Sequence, residues 1–444
     1  MSVSPGGTRL PVAVVGGGPV GMTAAVALAQ QNIPVVLVEA EPVPKTDWRA
    51  STFHPPTLEL LRELGVVDQM RAEGLAVPRY QFRDRRAGLV AEFDFGLLRD
   101  ETAYPYRLQL NQQHLVRMLA ARLATLPAAD LRFGCRAVAV EPERDGATLT
   151  VETAGGTERL RCAYLVGADG ASSTVRGLLD IPFDGFTYPE RFLIVSTSVD
   201  FRALLPDIAD VNYIADPEEW LFLLRTPESW RAVYPVPAGQ SREQATDPDE
   251  MQAHLQGIAA HPPGYPIEDH QLYNVHQRVA STFRRGDCLL IGDAAHINSP
   301  LGGVGLNSGI HDAMDLTRRL VRILRHGADP GPELDAFAEL RRRVAVEYVQ
   351  ADTRRNTERL NERDEARRQA HHDELRSTAA DPARARAWCR RASLLESVQQ
   401  FGIGDPPAAP GRPPATDDRP GVEMPATGAA RPSAEVPATG AVTP

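Results

Sequence analysis

The stretch PVAVVGGGPVGMTAAVALAQQNIPVVLVEA, residues 11–40, contains a short apolar strand, a glycine-rich turn, a helix and a second β-branched strand. The turn supplies three glycines in the pattern Gly16-x-Gly18-x-x-Gly21. Gly16 allows a tight turn, Gly18 lets a pyrophosphate approach the backbone, and Gly21 lets the helix pack closely on the strand. This order of elements is typical of a nucleotide-binding unit.

Both ends of this unit carry groups suited to a nucleotide. The helix begins at Pro19, which has no N–H, and the free N–H groups of Val20 and the residues after it can face phosphate. The second strand ends at Glu39, 18 residues after Gly21, and a carboxylate there can accept hydrogen bonds from ribose hydroxyls. The unit therefore predicts a bound adenine dinucleotide, although the glycine pattern alone does not distinguish NAD from FAD.

A second motif, LVGADGASSTVR, covers residues 165–176. A strand ends at an Asp-Gly turn that contains Asp169, and Arg176 lies one or two turns into the following element. Taken alone, this turn is more often a simple chain reversal than a binding motif. We retain Asp169 as a candidate cofactor residue because of the motifs on either side of it.

The third motif, LLIGDAAHINSPLGGVGLNSGIHDAMDL, covers residues 289–316 and joins a strand end to a helix through a loop of small residues. The carboxylate of Asp293 can hold a polyol hydroxyl, and the glycines leave the N-terminus of the next helix open to partial negative charge. A loop whose backbone only has to adopt left-handed conformations would account for the glycines but not for the acidic residue Asp293. The candidates in this stretch are Asp293, His296, Pro300, Gly303, Gly305, Leu306 and Asn307.

Composition narrows the class of protein. A chain of 444 residues is long enough for two or three domains, and its net charge of −10 argues against a nucleic-acid surface. We expect no membrane span and no signal peptide, because no long apolar window is present. Four scattered cysteines without zinc spacing indicate reduced thiols in the cytoplasm, and we expect no metal site.

The three motifs in this order resemble the FAD-dependent aromatic hydroxylases, the single-component monooxygenases related to p-hydroxybenzoate hydroxylase. The resemblance covers roughly residues 10–365. The segment RASTFHPPTLELLRELGV is similar to the one that places an arginine, here Arg49, near the flavin. The segment RLQLNQQHLVRML resembles the one whose Gln or Arg touches the flavin side chain, and we assign that role to Gln112, with Gln113 as its neighbour.

The resemblance implies an α/β fold, in which a glutathione-reductase-type Rossmann FAD domain is interleaved with a mostly antiparallel β-sheet substrate domain and followed by C-terminal helices. Strand-like segments such as RFLIVSTSVD and WLFLLR agree with a separate sheet. The predicted division is the first part of the FAD domain at 10–180 with a small sheet insertion near 77–105, the substrate domain at 181–275, the return of the FAD domain at 276–330, helices at 331–403 and a disordered Pro/Ala/Gly-rich tail at 404–444.

The resemblance also implies a reaction. FAD would be reduced by NADPH or NADH and would react with O₂ to a C4a-hydroperoxyflavin, which hydroxylates an aromatic, phenolic small molecule. In such relatives the acid of the third motif, here Asp293, contacts the ribityl chain, and Pro300 matches the loop proline beside the flavin. Because the cofactor carries out the difficult chemical step, we expect His296 to orient the loop by hydrogen bonding, with a role as a base as the alternative.

Other candidate residues follow from the strand-rich middle of the chain. Tyr213, Arg225 and Tyr234 are candidate substrate contacts, although Tyr and Arg in mid-strand are as often packing or surface residues. We interpret HHDE at 371–374 as a solvated helical face rather than a metal site. The expected assembly is a monomer or a homodimer.

Several alternative functions share this fold. An epoxidase, a Baeyer–Villiger monooxygenase and a geranylgeranyl-reductase-like flavoprotein all remain open, as does a non-catalytic FAD-binding regulatory protein. A flavin-dependent halogenase is disfavoured, because the chain has no WxWxIP motif and Lys45, the only lysine, comes too early. The identity of the substrate is not specified by the sequence.

Overall fold

The strands and helices are described in a computed structural model for residues 10–44 and 50–404. The prediction for Arg49 lies outside these residues, as does all but Gly404 of the tail predicted to be disordered over 404–444. The strands are β1 Val12–Val15, β2 Val35–Val38, β3 Thr52–Phe53, β4 Leu75–Val77, β5 Arg79–Asp84, β6 Gly88–Asp94, β7 Arg107–Gln109, β8 Ala129–Arg132, β9 Arg136–Glu143, β10 Gly146–Thr153, β11 Gly156–Cys162, β12 Tyr164–Gly167, β13 Phe183–Thr197, β14 Val211–Ala215, β15 Leu221–Arg225, β16 Trp230–Val236, β17 Ile267–Ala280, β18 Arg284–Arg285, β19 Cys288–Leu290 and β20 His296–Ile297.

The helices surround these strands and occupy most of the C-terminal part of the described chain. They are α1 Pro19–Gln30, α2 Pro55–Glu63, α3 Val67–Glu73, α4 Gln112–Leu123, α5 Thr174–Leu178, α6 Phe201–Leu204, α7 Arg242–Ala245, α8 Pro248–Gln256, α9 Gly305–His326, α10 Pro330–Val344, α11 Ala351–Leu360, α12 Glu365–Ala380, α13 Pro382–Ala392 and α14 Leu395–Phe401. The predicted C-terminal helices are thus confirmed. None of the helices in 10–44 and 50–404 has the length and apolar character that crossing a membrane requires.

A six-stranded sheet in the order β18-β19-β12-β1-β2-β8 forms the nucleotide-binding layer. Its strands are parallel except for β18, and β1 and β12 are buried along their whole length, as expected when helices cover both faces. The register aligns Val38, Val15, Gly167 and Leu290 in one row across four strands. The residues that follow these four positions therefore leave the sheet at the same edge.

The turn between β1 and α1 depends on glycine. Gly16 has φ of +111°, and a Cβ at this position would lie 2.4 Å from the carbonyl oxygen of Ala168 on the neighbouring strand. A Cβ on Gly21 would lie 2.0 Å from the carbonyl oxygen of Gly16. Side chains at these two positions would push the helix away from the sheet.

The larger sheet has eight strands in the order β20-β17-β13-β16-β15-β14-β5-β6 and is antiparallel except for the β14–β5 pair. The segment near 77–105, predicted as a small insertion of the FAD domain, instead extends this larger sheet. Residues 212–215 of β14 pair with 81–84 of β5, so hydrogen bonding between distant segments decides which sheet this segment joins. The combined α/β fold with a mostly antiparallel second sheet is confirmed.

The two faces of the larger sheet carry separate apolar clusters, because side chains alternate along a strand. Tyr213, Phe222 and Val233 belong to the cluster that also contains Leu301 and Leu360, so this face packs against the third motif and the C-terminal helices. The opposite face packs under α6 and α8. We call the first the inner face and the second the outer face.

A buried ionic cluster joins the third motif to the C-terminal helices. Asp312 of α9 accepts hydrogen bonds from Nε of Arg341 at 2.7 Å and from the backbone N–H of Gly292 at 3.1 Å, and lies 2.8 Å from Nε2 of His296. The side chains of Asp312, Arg341 and His296 are at most 2% exposed. Burial raises the pKa of Asp312, but Arg341 and His296 more than offset this and hold the pKa below its ordinary value.

Substituting Arg341→Met should lower the free energy of unfolding at pH 7 by about 3–5 kcal/mol, because it leaves the Asp312 carboxylate buried and without its main cation. Urea unfolding measures the loss. In the wild type, the ionised and paired form of Asp312 stabilises the fold above its depressed pKa. The difference in unfolding free energy between wild type and variant should therefore shrink at lower pH, because acidification protonates the unpaired carboxyl in the variant.

The control is Arg122→Met, since Arg122 lies exposed near the end of α4 with no salt bridge among the described residues. It should change the unfolding free energy by less than about 0.5 kcal/mol. An equal loss in the two variants would contradict a special contribution of the ionic cluster.

Candidate cofactor and substrate site

The three sequence motifs meet at one edge of the six-stranded sheet. The aligned positions Val15, Gly167 and Leu290 are followed by the glycine turn, the Asp169 turn and the Gly292 turn, respectively. Strands β19, β12 and β1 are neighbours, so motifs more than a hundred residues apart in sequence become adjacent. The carboxyl edge of a parallel sheet is the place where α/β proteins bind nucleotides.

The N-terminus of α1 is open at this edge. Gly18 caps the helix without a side-chain hydrogen bond, and a Cβ there would have no neighbour within 4 Å. Pro19 occupies the first helical turn, whereas the side chain of Val20 packs against Gly292 and Gly309. Val20 can thus contribute its backbone, and the half-buried start of the helix at Gly18 can accept phosphate.

Glu39 stands beside this helix end. Its Oε2 accepts a hydrogen bond from the N–H of Gly17 at 2.6 Å, and its Oε1 accepts one from the N–H of Glu41 at 2.9 Å. These two bonds fix the carboxylate next to the glycine turn. Each oxygen keeps a lone pair that can accept a further hydrogen bond from a hydroxyl.

Asp169 has a structural role that the sequence did not predict. Its carboxylate accepts hydrogen bonds from Oγ of Ser173 at 2.5 Å and from the N–H of Val175 at 3.0 Å, which fastens the start of α5. Arg176 donates to the carbonyl oxygen of Ala294 at 2.9 Å and lies over the ring of Phe183. The second motif therefore braces the third, and a cofactor contact of Asp169 stays a prediction.

The third motif forms a short turn, a loop and a helix end. Asp293 lies exposed in the 3₁₀ turn Gly292–Ala294. Pro300 is half-buried, and its carbonyl oxygen accepts a hydrogen bond from the N–H of Gly303 at 3.0 Å, which closes the loop. Gly305 begins α9, so its N-terminal N–H groups face the same loop.

The side chains of Asn307 and Leu306 are engaged inside the protein, and a cofactor contact of either residue stays a prediction. The amide of Asn307 is buried and is fully engaged inside the protein, with the carbonyl oxygens of Thr52 and Gly303 and the N–H of His54. Leu306 packs against the main core. Any contact of Asn307 with a cofactor has to use its backbone, because its side chain positions the loop.

Beside this loop lie β3, β7 and the start of α4, and we call this group of segments the crease. Gln112 begins α4 and is half-buried, and its N–H donates to the carbonyl oxygen of Ala50 at 2.9 Å. Three buried polar atoms here have no partner within the described part of the chain: Nδ1 of His54, Nε2 of Gln109 and Oε1 of Gln113. Such atoms are rare in folded proteins and indicate a place where a ligand or water completes the hydrogen bonding.

His54 is a site residue that sequence reasoning missed. Its Nε2 lies 3.0 Å from the carbonyl oxygen of Gly302, and burial, with Arg107 nearby, holds the pKa of His54 well below its ordinary value. The ring is neutral, so Nε2 carries the proton and Nδ1 is a bare acceptor. The only sequence signal was His-Pro-Pro before a helix, which also suits a plain helix start.

His296 is buried next to α9 and is not among the residues of the crease. Its ring is 1% exposed, is bound to Asp312 and stacks on Phe283 with a centroid distance of 5.9 Å. This geometry gives His296 an orienting contact with α9 and provides no open path to a substrate.

The structure does not bring the three candidate substrate residues together. Tyr213 lies on the inner face, where its hydroxyl accepts a hydrogen bond from Nη1 of Arg107 at 3.3 Å. Tyr234 lies on the outer face and donates to the carbonyl oxygen of His254. Arg225 alternates with Leu224, so it also points outward, where it meets Asp210 at 3.5 Å. The period of two along the strands therefore separates Arg225 and Tyr234 from Tyr213, and a substrate contact of any of the three stays a prediction.

Comparisons with known proteins agree with this geometry. The model of the FAD binding domain family matches residues 9–352. Para-nitrophenol 4-monooxygenase of Pseudomonas sp. (strain WBC-3) is 36% identical over 363 residues, which cover 80% of this chain and 89% of that protein. The chain belongs to the family of FAD-dependent aromatic monooxygenases.

Two solved structures share the fold of this monooxygenase. The crystal structure of p-nitrophenol 4-monooxygenase PnpA from Pseudomonas putida DLL-E4 has a TM-score of 0.83 and 29% identity, covering 89% of this chain and 98% of that one. The flavin-dependent monooxygenase PieE, solved with FAD and substrate, has a TM-score of 0.74 and 25% identity, covering 94% and 78% of the two chains.

The residues of the monooxygenase fit FAD. An open helix end stands beside a fixed carboxylate at Glu39, which suits the adenosine and pyrophosphate parts. Asp293 and the N-terminus of α9 lie along the same sheet edge, and the crease beyond them holds the unpartnered atoms of His54 and Gln109. A long ligand with adenosine and pyrophosphate toward one end and a polar ring system at the other matches this order of groups along the sheet edge.

Substituting Gly303→Ala should weaken FAD binding about tenfold, roughly 1.4 kcal/mol. Gly303 has φ of +65°, and a Cβ would lie 2.9 Å from Cβ of Thr52, so the loop has to move from the crease. Titration of the apoprotein with FAD, followed by flavin fluorescence, measures the affinity.

The matched control is Gly286→Ala, where φ is +62° but no atom lies within 4 Å of the new Cβ. It carries the same backbone strain, about 1–2 kcal/mol, at the opposite edge of the sheet. FAD affinity should stay unchanged in this control, and equal weakening in both variants would refute a specific role of the loop.

Substituting Asp293→Ala should reduce FAD affinity by about tenfold or more, since it removes a charged hydrogen-bond acceptor. The flavin absorbance retained after gel filtration is the readout. Asp145→Ala, at an exposed turn between β9 and β10, is the control and should keep its flavin. Undiminished flavin in the Asp293 variant would remove Asp293 from the site.

Proposed function

We propose that this monooxygenase binds FAD at the carboxyl edge of the six-stranded sheet and uses NADPH or NADH with O₂ to hydroxylate a phenolic small molecule. The observation that carries the proposal is the single row of Val38, Val15, Gly167 and Leu290, which places all three cofactor motifs at one edge. The crease with its unpartnered polar atoms continues this edge toward the inner face of the larger sheet.

Each part of the cofactor would meet a different group of the chain. The N-terminus of α1 would hold the pyrophosphate, and Glu39 would accept hydrogen bonds from the adenosine ribose. Asp293 would bind the ribityl hydroxyls, and the N-terminus of α9 would face the polar edge of the ring system. Bound FAD, once reduced, supplies the activation of O₂ and the transfer of one oxygen atom to an electron-rich ring.

The surrounding residues would keep water from the reacting atoms. The inner-face cluster joins aromatic side chains of the larger sheet to Leu301 of the loop. Neutral His54 fixes Gly302, and Asn307 fixes Gly303, so the loop beside Pro300 is held at two successive residues. Rigid, apolar surroundings of this kind favour oxygen transfer over loss of the activated oxygen to water.

Arg107 is a buried cation near the inner face. It is 3% exposed, lies over the ring of Tyr80 at 4.2 Å and donates to the hydroxyl of Tyr213, while its Nε has no partner among the residues of 10–44 and 50–404. A permanent cation at this depth stabilises a nearby phenolate relative to the neutral phenol. Electron-rich phenolates are the substrates that this oxygen transfer suits best.

The test uses the purified full chain loaded with FAD. Oxidation of NADPH and NADH is followed with and without phenols, beginning with p-nitrophenol, the compound named in the 36% identical relative. We expect a phenol to stimulate cofactor oxidation, and ¹⁸O₂ to place one labelled oxygen atom on the aromatic ring.

Other outcomes would assign another function. A labelled lactone or epoxide would indicate a Baeyer–Villiger enzyme or an epoxidase. Reduction of a substrate double bond without oxygen incorporation would indicate a reductase. Tight FAD binding without turnover of any phenol would favour a regulatory flavoprotein and would contradict the proposal.

A further inference from the structure

Gln277, near the end of β17, is a buried polar side chain that joins three distant segments of the chain. It is 1% exposed, and its Oε1 accepts a hydrogen bond from the N–H of Ser299 at 3.0 Å. Its Nε2 donates to the carbonyl oxygen of Gln350 at 2.9 Å and to Oγ1 of Thr353 at 3.1 Å. Both ends of the amide are engaged, so Gln277 connects the residue before Pro300 to the C-terminal helices.

Gln350 makes the reciprocal connection. It is the last residue of a π-helical segment, Ala345–Gln350, which joins α10 to α11. Its Nε2 donates to the carbonyl oxygen of Ile297 at 2.7 Å and to that of Arg278 at 3.3 Å. The two glutamines are therefore bonded to each other and hold the loop before Pro300 at two backbone positions.

Helix α11 brings two more side chains to the same loop. Oγ1 of Thr357 lies 3.1 Å from Oγ of Ser299, and Nδ2 of Asn356 donates to the carbonyl oxygen of Leu301 at 3.3 Å. The helical residues that bond to the loop or to Gln277 are three or four positions apart, so they share one face. The π turn before α11 holds more residues than an α turn and thereby decides which face of the helix meets the loop.

A contact that only joined β17 to α11 would not need amides. Two and four residues before Gln277, the same face of β17 carries Val275 and Tyr273, which pack in the inner-face cluster. Burying amides instead of apolar groups costs free energy unless their polar atoms are bonded. Amides, unlike apolar side chains, fix backbone N–H and C=O groups at defined distances. Pro300 has no N–H of its own, so its position depends on the bonds made by its neighbours.

We propose that Gln277 and Gln350 are positioning residues for oxygen transfer, which keep the loop before Pro300 in one place beside the cofactor and the substrate. The inference rests on the proposed function and extends it to residues outside the cofactor motifs. Two electrons from NADPH or NADH reduce O₂ in either outcome. When transfer succeeds, one oxygen atom enters the aromatic ring and the other leaves as water. When transfer fails, both oxygen atoms leave as H₂O₂. A loop that moves admits water to the reacting atoms, so the share of H₂O₂ reports on its position.

The first measurement is independent of turnover. Amide hydrogen exchange of peptides that cover residues 295–303 is followed by mass spectrometry in the FAD-loaded full chain, without NAD(P)H. Gln277→Met keeps the length of the side chain and removes its hydrogen-bonding groups, so exchange in this segment should become about tenfold faster. Gln350→Met should act in the same direction. The double variant should exchange little faster than either single variant, because the two side chains belong to one chain of hydrogen bonds.

The matched control is Gln271→Met. Gln271 is half-buried on the same face of β17, six residues earlier, and its amide donates to Asp269 of its own strand at 3.2 Å. Loop exchange in this variant should equal that of the wild type. Gln277→Glu keeps an acceptor for the N–H of Ser299 and should restore part of the protection that Gln277→Met loses.

The second measurement follows turnover of a phenol that the wild type hydroxylates. We expect the H₂O₂ formed per NAD(P)H consumed to rise about threefold or more in Gln277→Met and Gln350→Met, and to stay unchanged in Gln271→Met. The KM for the phenol should change less than about twofold, because neither glutamine is proposed to touch the substrate. A merely structural role would lower the unfolding temperature without changing the H₂O₂ share.

The results separate this proposal from the proposed function. Unchanged loop exchange in Gln277→Met and Gln350→Met would overturn the proposal, as would equal acceleration in Gln271→Met. Faster exchange with an unchanged H₂O₂ share would also overturn it, since the loop would then not govern oxygen transfer. A wild type that hydroxylates no phenol would contradict the proposed function, whereas faster exchange in the two variants would still support the holding of the loop. If Gln277→Met fails to fold or to keep FAD, the shorter side chain of Gln277→Asn takes its place beside Gln350→Met.

Discussion

The parallel register of β2, β1, β12 and β19 is the constraint on which the rest of the site depends. Because one row of residues crosses all four strands, the segments after them leave the sheet together. A shift of one residue would move every side chain of a strand to the other face of the sheet and displace one motif from the others. Gly16 makes this arrangement compatible with a helix, since any side chain there would strike the strand beside it.

The loop at Pro300 is held by polar contacts that the hydrophobic core alone could not supply. His54 and Asn307 fasten it from the side of β3, and Asp312 fastens the preceding turn from α9. Asp312 is in turn neutralised by Arg341 and His296. A buried network of this kind is costly to break, so it fixes one loop geometry where the proposed chemistry needs a fixed distance.

The larger sheet separates residues that look equivalent in the chain. Tyr213, Arg225 and Tyr234 are all polar residues of neighbouring strands, yet only Tyr213 reaches the inner face. The alternation of side chains along each strand causes this separation. A single sequence does not show whether the odd or the even positions of a strand face the cofactor domain. His371 and His372 were likewise interpreted as part of a solvated helix face, because the sequence does not show that α12 covers a cavity.

The sequence by itself determined the cofactor layer: the glycine spacing, the acid after the second strand, and the two later turns predict strand ends that bind a dinucleotide. These features are local, because each depends on backbone geometry within a few residues. Tertiary structure decided that 79–94 joins the larger sheet, that the side chain of Asn307 bonds to Thr52 and His54, and that His54 and Arg107 are buried. These depend on hydrogen bonds and packing between segments far apart in sequence, which no local pattern records.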